Sequence, residues 1–260
     1  RIIWGLPVLA VMLAIGRRWG AYRAAFLSWV TMKYLLATTV LISLNWFAYT
    51  YAVGSNRLSE ASLGYYINPM VSVALGMIFL HERARRMQWV AIALACAGVA
   101  HETILRSGLP WLSLTVAFSF GFYGLLRKKV KADAAVGLAV ETTILTPISI
   151  ALLAYMATTG AFGGATFLGD GVPWWVSAGV TLSGVMTVVP LVAYTAGARR
   201  LRLSTMGFLQ YIAPTGQFIL AVALFGERFD PRRLITFGLI WAGLGVFSID
   251  SVRAAKQARG

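Results

Sequence analysis

Nine apolar runs separated by short polar connections set the layout of this 260-residue chain. They lie at roughly 1–16, 35–54, 60–80, 87–105, 108–126, 136–157, 173–197, 204–226 and 233–250. A helix that crosses a bilayer needs about 20 mostly apolar residues, and its backbone groups must be satisfied within the segment. The pattern therefore predicts an all-α, polytopic bundle of transmembrane helices. The first run is short. The one long connection is Gly-rich, from Thr158 to Val172, and no polar stretch is long enough to form a soluble domain.

The polar positions that punctuate these runs repeat. At a shift of 145 residues, Ala48-Tyr49-Thr50 returns as Ala193-Tyr194-Thr195, and Arg57-Leu58-Ser59 as Arg202-Leu203-Ser204. Tyr66-Ile67 with Pro69 returns as Tyr211-Ile212 with Pro214. Leu75, Glu82-Arg83 and Ala97-Gly98 return as Leu220, Glu227-Arg228 and Ala242-Gly243. Apolar bias raises chance matches but does not account for twinned Arg, Ser, Tyr, Pro and Glu. Duplicated halves of this kind are common in transporters that rock one half against the other.

Composition agrees with the runs. Apolar residues make up 58% of the chain and charged ones 12%, against roughly 25% charged in soluble domains. Mean hydropathy is +0.73. Cys96 is the single cysteine, which excludes an intrachain disulfide. The net charge of +14 reflects topology rather than nucleic-acid binding, because Lys and Arg sit between the runs and alternate. Seventeen, including Arg253, Lys256 and Arg259 of the tail, fall on one side and five on the other. The positive-inside rule puts the richer side and the C-terminus in the cytoplasm. Trp19, Trp89, Trp111, Trp174 and Trp175 lie near run ends, as interfacial aromatics do.

Twinned runs are the second and seventh, an odd offset that inverts orientation. The repeat is therefore expected to be an inverted-topology one, with a pseudo-two-fold axis in the membrane plane. The second half holds five runs and the first half four. The expectation is a native protein of five plus five helices, nine of them in this chain, with the missing first helix preceding Arg1. The repeats are placed at 1–106 and 107–253, with a basic tail at 254–260.

Polar groups inside spanning helices are costly and so are candidates for function. Asn45 and Tyr49 share a helix face, either for interhelical hydrogen bonding or to line a cavity. Asn68-Pro69, with Tyr65 and Ser72 nearby, matches a twin region holding Gln210, Tyr211, Pro214 and Gln217. A proline frees the carbonyl four residues back and kinks its helix, so Pro69 and Pro214 are candidate hinges or packing kinks. Pro147 and Pro190 are weaker cases. Tyr194 is the twin of Tyr49. Glu141 and Arg1 occupy comparable places at a shift of 140. They form a buried charge pair, or Glu141 titrates during transport or binds a cation, or both are hydrated at an interface. Glu82-Arg83 and Glu227-Arg228 read as helix ends rather than substrate ligands. Gly76, Gly98 and Gly243 suit close helix packing. His81 and His101 stand singly at helix ends. The sequence shows no metal-ligand spacing, no phosphate-binding glycine motif and no nucleophile–base constellation.

Particular stretches carry a family likeness: Asn45-Trp46, Glu60 to Pro69, Leu80 to Arg83, Leu109 to Trp111, Ser119 to Lys128, Pro190-Leu191, Ala198 to Pro214 and Phe225 to Arg228. On these the chain resembles the EamA-domain branch of the drug/metabolite transporter superfamily, and within it the RarD permease group. The resemblance implies ten helices in two inverted EamA repeats, in the bacterial inner membrane. It also implies transport of a small molecule without ATP hydrolysis. Members of the group are described as chloramphenicol-sensitivity permeases, which names a phenotype rather than a substrate.

The expected function is thus a secondary transporter of a small metabolite or drug-like molecule, not an enzyme, with no cofactor and no nucleic-acid partner. Asn45, Tyr49, Tyr65 and Asn68 are expected to line one side of its path, and Tyr194, Gln210, Tyr211 and Gln217 the other. Tyrosine surfaces suit amphipathic or aromatic solutes. Glu141 is the candidate for a coupling proton. The alternatives are a membrane-embedded enzyme, which would need a reactive carboxylate or His cluster, and a non-transporting sensor or scaffold.

Overall fold

The computed structural model describes residues 1–55, 57–105, 111–159, 173–223 and 232–257. Among them every regular element is a helix. In chain order these are α1 (Ile2–Ile15), α2 (Trp19–Leu27), α3 (Trp29–Gly54), α4 (Leu58–Leu80), α5 (Arg86–Leu105) and α6 (Trp111–Lys129). They continue as α7 (Ala134–Thr159), α8 (Trp174–Arg200), α9 (Leu203–Gln210), α10 (Ile212–Ala223) and α11 (Arg232–Gln257). The protein is an all-helical, multi-pass membrane protein. Large apolar side chains such as Phe47, Ile78, Ile148, Trp174 and Met186 are exposed on these helices, a surface suited to lipid.

Every apolar run forms helix, but not every run forms one long span. Six helices among the described residues are long and apolar enough to cross a membrane, and α1 with α2, a pair bent by 114°, forms either a broken seventh span or a re-entrant segment. The helix α6 is less apolar, with Ser113, Thr115 and Ser119 along it and Arg127, Lys128 and Lys129 in its last turn. The eighth run breaks between α9 and α10 at Tyr211. Pro214 contributes to the break: its ring clashes with, and cannot donate to, the carbonyl of Gln210, where α9 stops. Its twin Pro69 sits inside the continuous helix α4. The helix α2 was not anticipated. It follows Arg17, a left-handed residue at φ 51°, where Arg18 N–H closes back on Leu13 O at 2.8 Å in the manner of a helix-terminating motif.

The chain divides into two compact units. The first comprises Arg1–Val40 and Leu126–Arg200, and the second Leu41–Leu125 and Leu201–Gly260. Each draws on both sequence halves. In the first unit α1 packs on α7 and α8, and α2 on α7. Close approach is permitted by Gly184, where an added Cβ would strike the Trp4 backbone.

In the second unit the sequence repeat becomes visible as geometry. Helix α5 packs on its twin α11, and α4 on its twin α9. A methyl group at Gly98 would sit 3.1 Å from Thr236 O, and one at Gly243 would sit 2.9 Å from Ala91 O. Gly243 is the twin of Gly98 and Thr236 the register-mate of Ala91, so the same contact is made twice with the partners exchanged. That reciprocity is the signature of a local two-fold. Because residues 91 to 98 face residues 243 to 236 in reverse order, the twins run antiparallel. The pair α4 and α9 does the same: Tyr66 meets Tyr211, Pro69 meets Gly207 and Gly76 meets Leu203. Antiparallel twins are what an inverted repeat requires.

Candidate functional site

The seam between α4 and α9 gathers several of the polar residues singled out above. Asn68 Nδ2 donates to Gln210 Oε1, and Gln210 Nε2 donates to Ser72 Oγ at 3.5 Å. Asn68 is buried and its Oδ1 has no hydrogen-bond partner among the described residues. A buried, unsatisfied amide oxygen is rare and calls for a ligand, water or functional reason. Tyr211 is fully buried, and its hydroxyl donates to Tyr66 O at 3.3 Å. At Gly207 a methyl group would sit 2.6 Å from Pro69 O, so the glycine lets α9 approach α4 closely at Pro69. Around the seam, Val73, Ala91, Ile92, Ala95, Phe208, Ile240 and Phe247 form an apolar core, with Phe208 and Phe247 stacked at 4.0 Å.

The far end of this seam is held by Glu82. Its Oε1 accepts the Leu203 N–H at 2.7 Å, and Oε2 accepts both the N–H and the hydroxyl of Ser204, at 3.0 and 2.7 Å. Arg202 Nη2 donates to Arg83 O at 2.6 Å. Glu82 and Arg83 are therefore the end of α4, as expected, and in addition the carboxylate caps α9. Its charge meets the positive end of that helix. Their twins Glu227 and Arg228 lie outside the described residues.

The other candidates in the second unit are placed as follows. Asn45 Nδ2 donates to Val116 O at 2.9 Å and Ser119 Oγ at 3.1 Å, which is the interhelical bonding of its two alternatives. Tyr49 and Tyr65 are half-buried and meet edge to face at 6.1 Å. Pro69 and Pro214 are buried. Gln217 falls in α10, and its side chain is outside the described residues. Sequence reasoning did not weigh Glu102, which is buried and accepts from Thr236 Oγ1 at 3.3 Å.

The first unit holds Arg1, Glu141 and Tyr194. Arg1 is exposed and Tyr194 half-buried. Glu141 is 1% exposed, so the hydrated-interface alternative does not describe it. Thr38 Oγ1 lies 2.5 Å from its Oε1. The structure also brings in Arg127, 0% exposed, with Nη1 3.5 Å from Glu141 Oε1 and Nη2 donating to Ala134 O at 2.8 Å. Arg127 reads in sequence as one of a cluster of topology-setting charges at the end of α6. The available signal is Gly137, one turn before Glu141 on the same face of α7. A Cβ there would fall on the Arg127 guanidinium.

Comparison with known proteins follows the same lines. The EamA-like transporter family matches residues 1–101. An uncharacterized transporter of Vibrio cholerae is 40% identical over 259 residues, covering 100% of this chain and 84% of that protein. The chain belongs to the EamA-like transporter family. Protein RarD of Escherichia coli is 40% identical over 257 residues, covering 99% of this chain and 85% of the relative. This places the chain in the RarD-like group of the drug/metabolite transporter superfamily. A solved crystal structure shares the fold at a TM-score of 0.68 and 17% identity, over 97% of this chain and 86% of the other. As a member of the family, the chain is a membrane transporter acting on a small molecule in the bilayer.

Proposed function

We propose that this protein is a secondary transporter that carries a small amphipathic or aromatic metabolite by alternating exposure, using the inverted repeats at 1–106 and 107–253. The observation that carries this reading is the α4–α9 seam. Antiparallel twin helices meet there at a proline break, with neutral polar groups and an unsatisfied Asn68 amide buried among apolar side chains. Broken helices at a repeat interface are where such transporters bind solute. Tyr49, Tyr65, Asn68, Gln210 and Tyr211 contact the solute, and Pro69 and Pro214 act as hinges. The charge distribution supports a bacterial inner-membrane location with a cytoplasmic C-terminus.

The test begins with metabolite profiling of cells with and without the full-length gene. It continues with uptake of the changed solute into proteoliposomes carrying the full-length protein or its Asn68→Leu/Gln210→Leu variant. The variant replaces both partners of one buried bond, so it should fold while losing transport by about tenfold or more, the effect of unpairing polar solute contacts. If no solute moves under any ion gradient, an enzymatic or sensory role takes its place.

A further inference from the structure

The buried cluster around Arg127 contains more than a static charge pair. The Arg127 guanidinium places a positive charge and five N–H donors in a fully buried position. Its Nε and Nη1 have no hydrogen-bond partner among the described residues. At 3.5 Å, Glu141 Oε1 compensates the charge without filling those donors. Thr38 adds a second feature. Its hydroxyl lies 2.5 Å from Glu141 Oε1 and 3.0 Å from Leu35 O, and one hydroxyl proton serves only one of them. When Glu141 is ionised, Thr38 donates to the carboxylate. When Glu141 carries a proton, that proton is donated to Thr38 Oγ1 and Thr38 donates to Leu35 O. Both protonation states of Glu141 are satisfied at Thr38 without any heavy atom moving.

Arg127 does not tolerate the two states equally. Protonating Glu141 alone leaves a fully buried cation with no counter-charge, which is strongly disfavoured. Arrival of another anion removes that obstacle. We infer that Arg127, Glu141 and Thr38 form a proton-coupled anion site. Arg127 receives the carboxylate of a small organic anion as Glu141 takes up one proton. The inference rests on the transporter reading and adds to it a further site, within the first unit, for a small organic anion. Charge balances in both states: guanidinium with ionised Glu141, or guanidinium with the bound anion and neutral Glu141. No covalent bond is made or broken.

The charged and titratable groups on the elements packed around Glu141 are Arg1 before α1, Arg17 and Arg18 after it, Tyr22 and Arg23 of α2, Lys33 and Tyr34 of α3, Tyr123, Lys128 and Lys129 of α6, Asp133 before α7, Tyr155 of α7, and Tyr194, Arg199 and Arg200 of α8. Asp133 is engaged by Arg18, and the Tyr22 hydroxyl lies 2.9 Å from Thr143 Oγ1. Glu141 is thus the carboxylate that Arg127 meets among the described residues.

The experiment uses the full-length protein in detergent at low buffer strength, with a pH indicator and additions of formate, benzoate and citrate, and benzamide as a neutral control. At least one carboxylate should bind with uptake of about one proton per chain, and benzamide with none. One linked proton makes the carboxylate affinity fall about tenfold per pH unit on the alkaline side. Glu141→Gln should bind the same carboxylate with no proton uptake and a flat pH dependence. Arg127→Met should abolish binding, and Arg127→Lys should restore part of it, which separates charge recognition from misfolding. Proton uptake that persists in Glu141→Gln overturns the inference, and so does failure of all three carboxylates to change the pH. If proteoliposomes still move a profiled solute while the carboxylates do nothing, the anion site falls and the transporter reading stands.

Discussion

The first unit buries an arginine–glutamate pair, whereas the α4–α9 seam of the second buries neutral polar groups, and the two solve the problem of polarity in a membrane differently. In the first, Arg127 and Glu141 face each other with no exposure to solvent, and space is made for the guanidinium by Gly137. In the second, Asn68, Gln210 and Ser72 share uncharged hydrogen bonds, and the carboxylate of Glu82 lies at the seam's end against a helix terminus. The neutral seam includes residues that the repeat pairs, Tyr66 with Tyr211 and Pro69 with Pro214, while Asn68, Ser72 and Gln210 have Ala213, Gln217 and Tyr65 as register-mates.

The sharpest way to break this contrast is to remove one member of the charged pair. Arg127→Met in the full-length protein leaves a buried carboxylate without its cation and should lower unfolding stability by about 3–5 kcal/mol, while Arg127→Met/Glu141→Leu should recover most of the loss. Denaturation in detergent measures both. A loss below about 1 kcal/mol, the range of exposed pairs, would mean that water reaches the pair.

A smaller effect is expected at the neutral seam. Gly207→Val must push α9 away from Pro69 O and should cost about 1–3 kcal/mol by overpacking. Crosslinking between cysteines placed at Ser72 and Phe208 should weaken in parallel. An unchanged melting temperature would show that the twins are not in close contact.

Tyr211→Phe should have the smallest effect. It removes a single hydroxyl bond to Tyr66 O, worth about 0.5–1.5 kcal/mol, and leaves the aromatic packing on Phe208 intact. If this variant loses as much as Gly207→Val, the hydroxyl rather than the close approach sets the register of the twins.

Much of the fold was legible because membranes restrict the choices. Among the described residues each apolar run is helical, and the twin motifs predicted helices of opposite orientation. The misses have local causes. Helix α2, WGAYRAAFL, is too short and mixed to stand out beside spans of 20 residues or more. Pro214 contributes to the break at Tyr211, yet the same residue at Pro69 left α4 whole, so proline alone does not decide between kink and break. Among the candidate sites, Asn68, Gln210 and Tyr211 were found because intramembrane polarity is conspicuous. Arg127 was hidden among Lys128, Lys129 and Lys131, where a basic residue at a helix end ordinarily faces water.

By itself the sequence determined the class of protein, its helical segments, their duplication and the family to which they belong. These follow from hydropathy and from residue identities carried along the chain, which need no knowledge of contacts. Only the tertiary structure decided that Gly98 and Gly243 make one contact twice, that Glu82 caps α9 across 121 residues of sequence, and that one arginine of a cationic cluster turns inward to Glu141. Those outcomes depend on which helix faces fit together, and packing is a property of pairs of segments rather than of either one read alone.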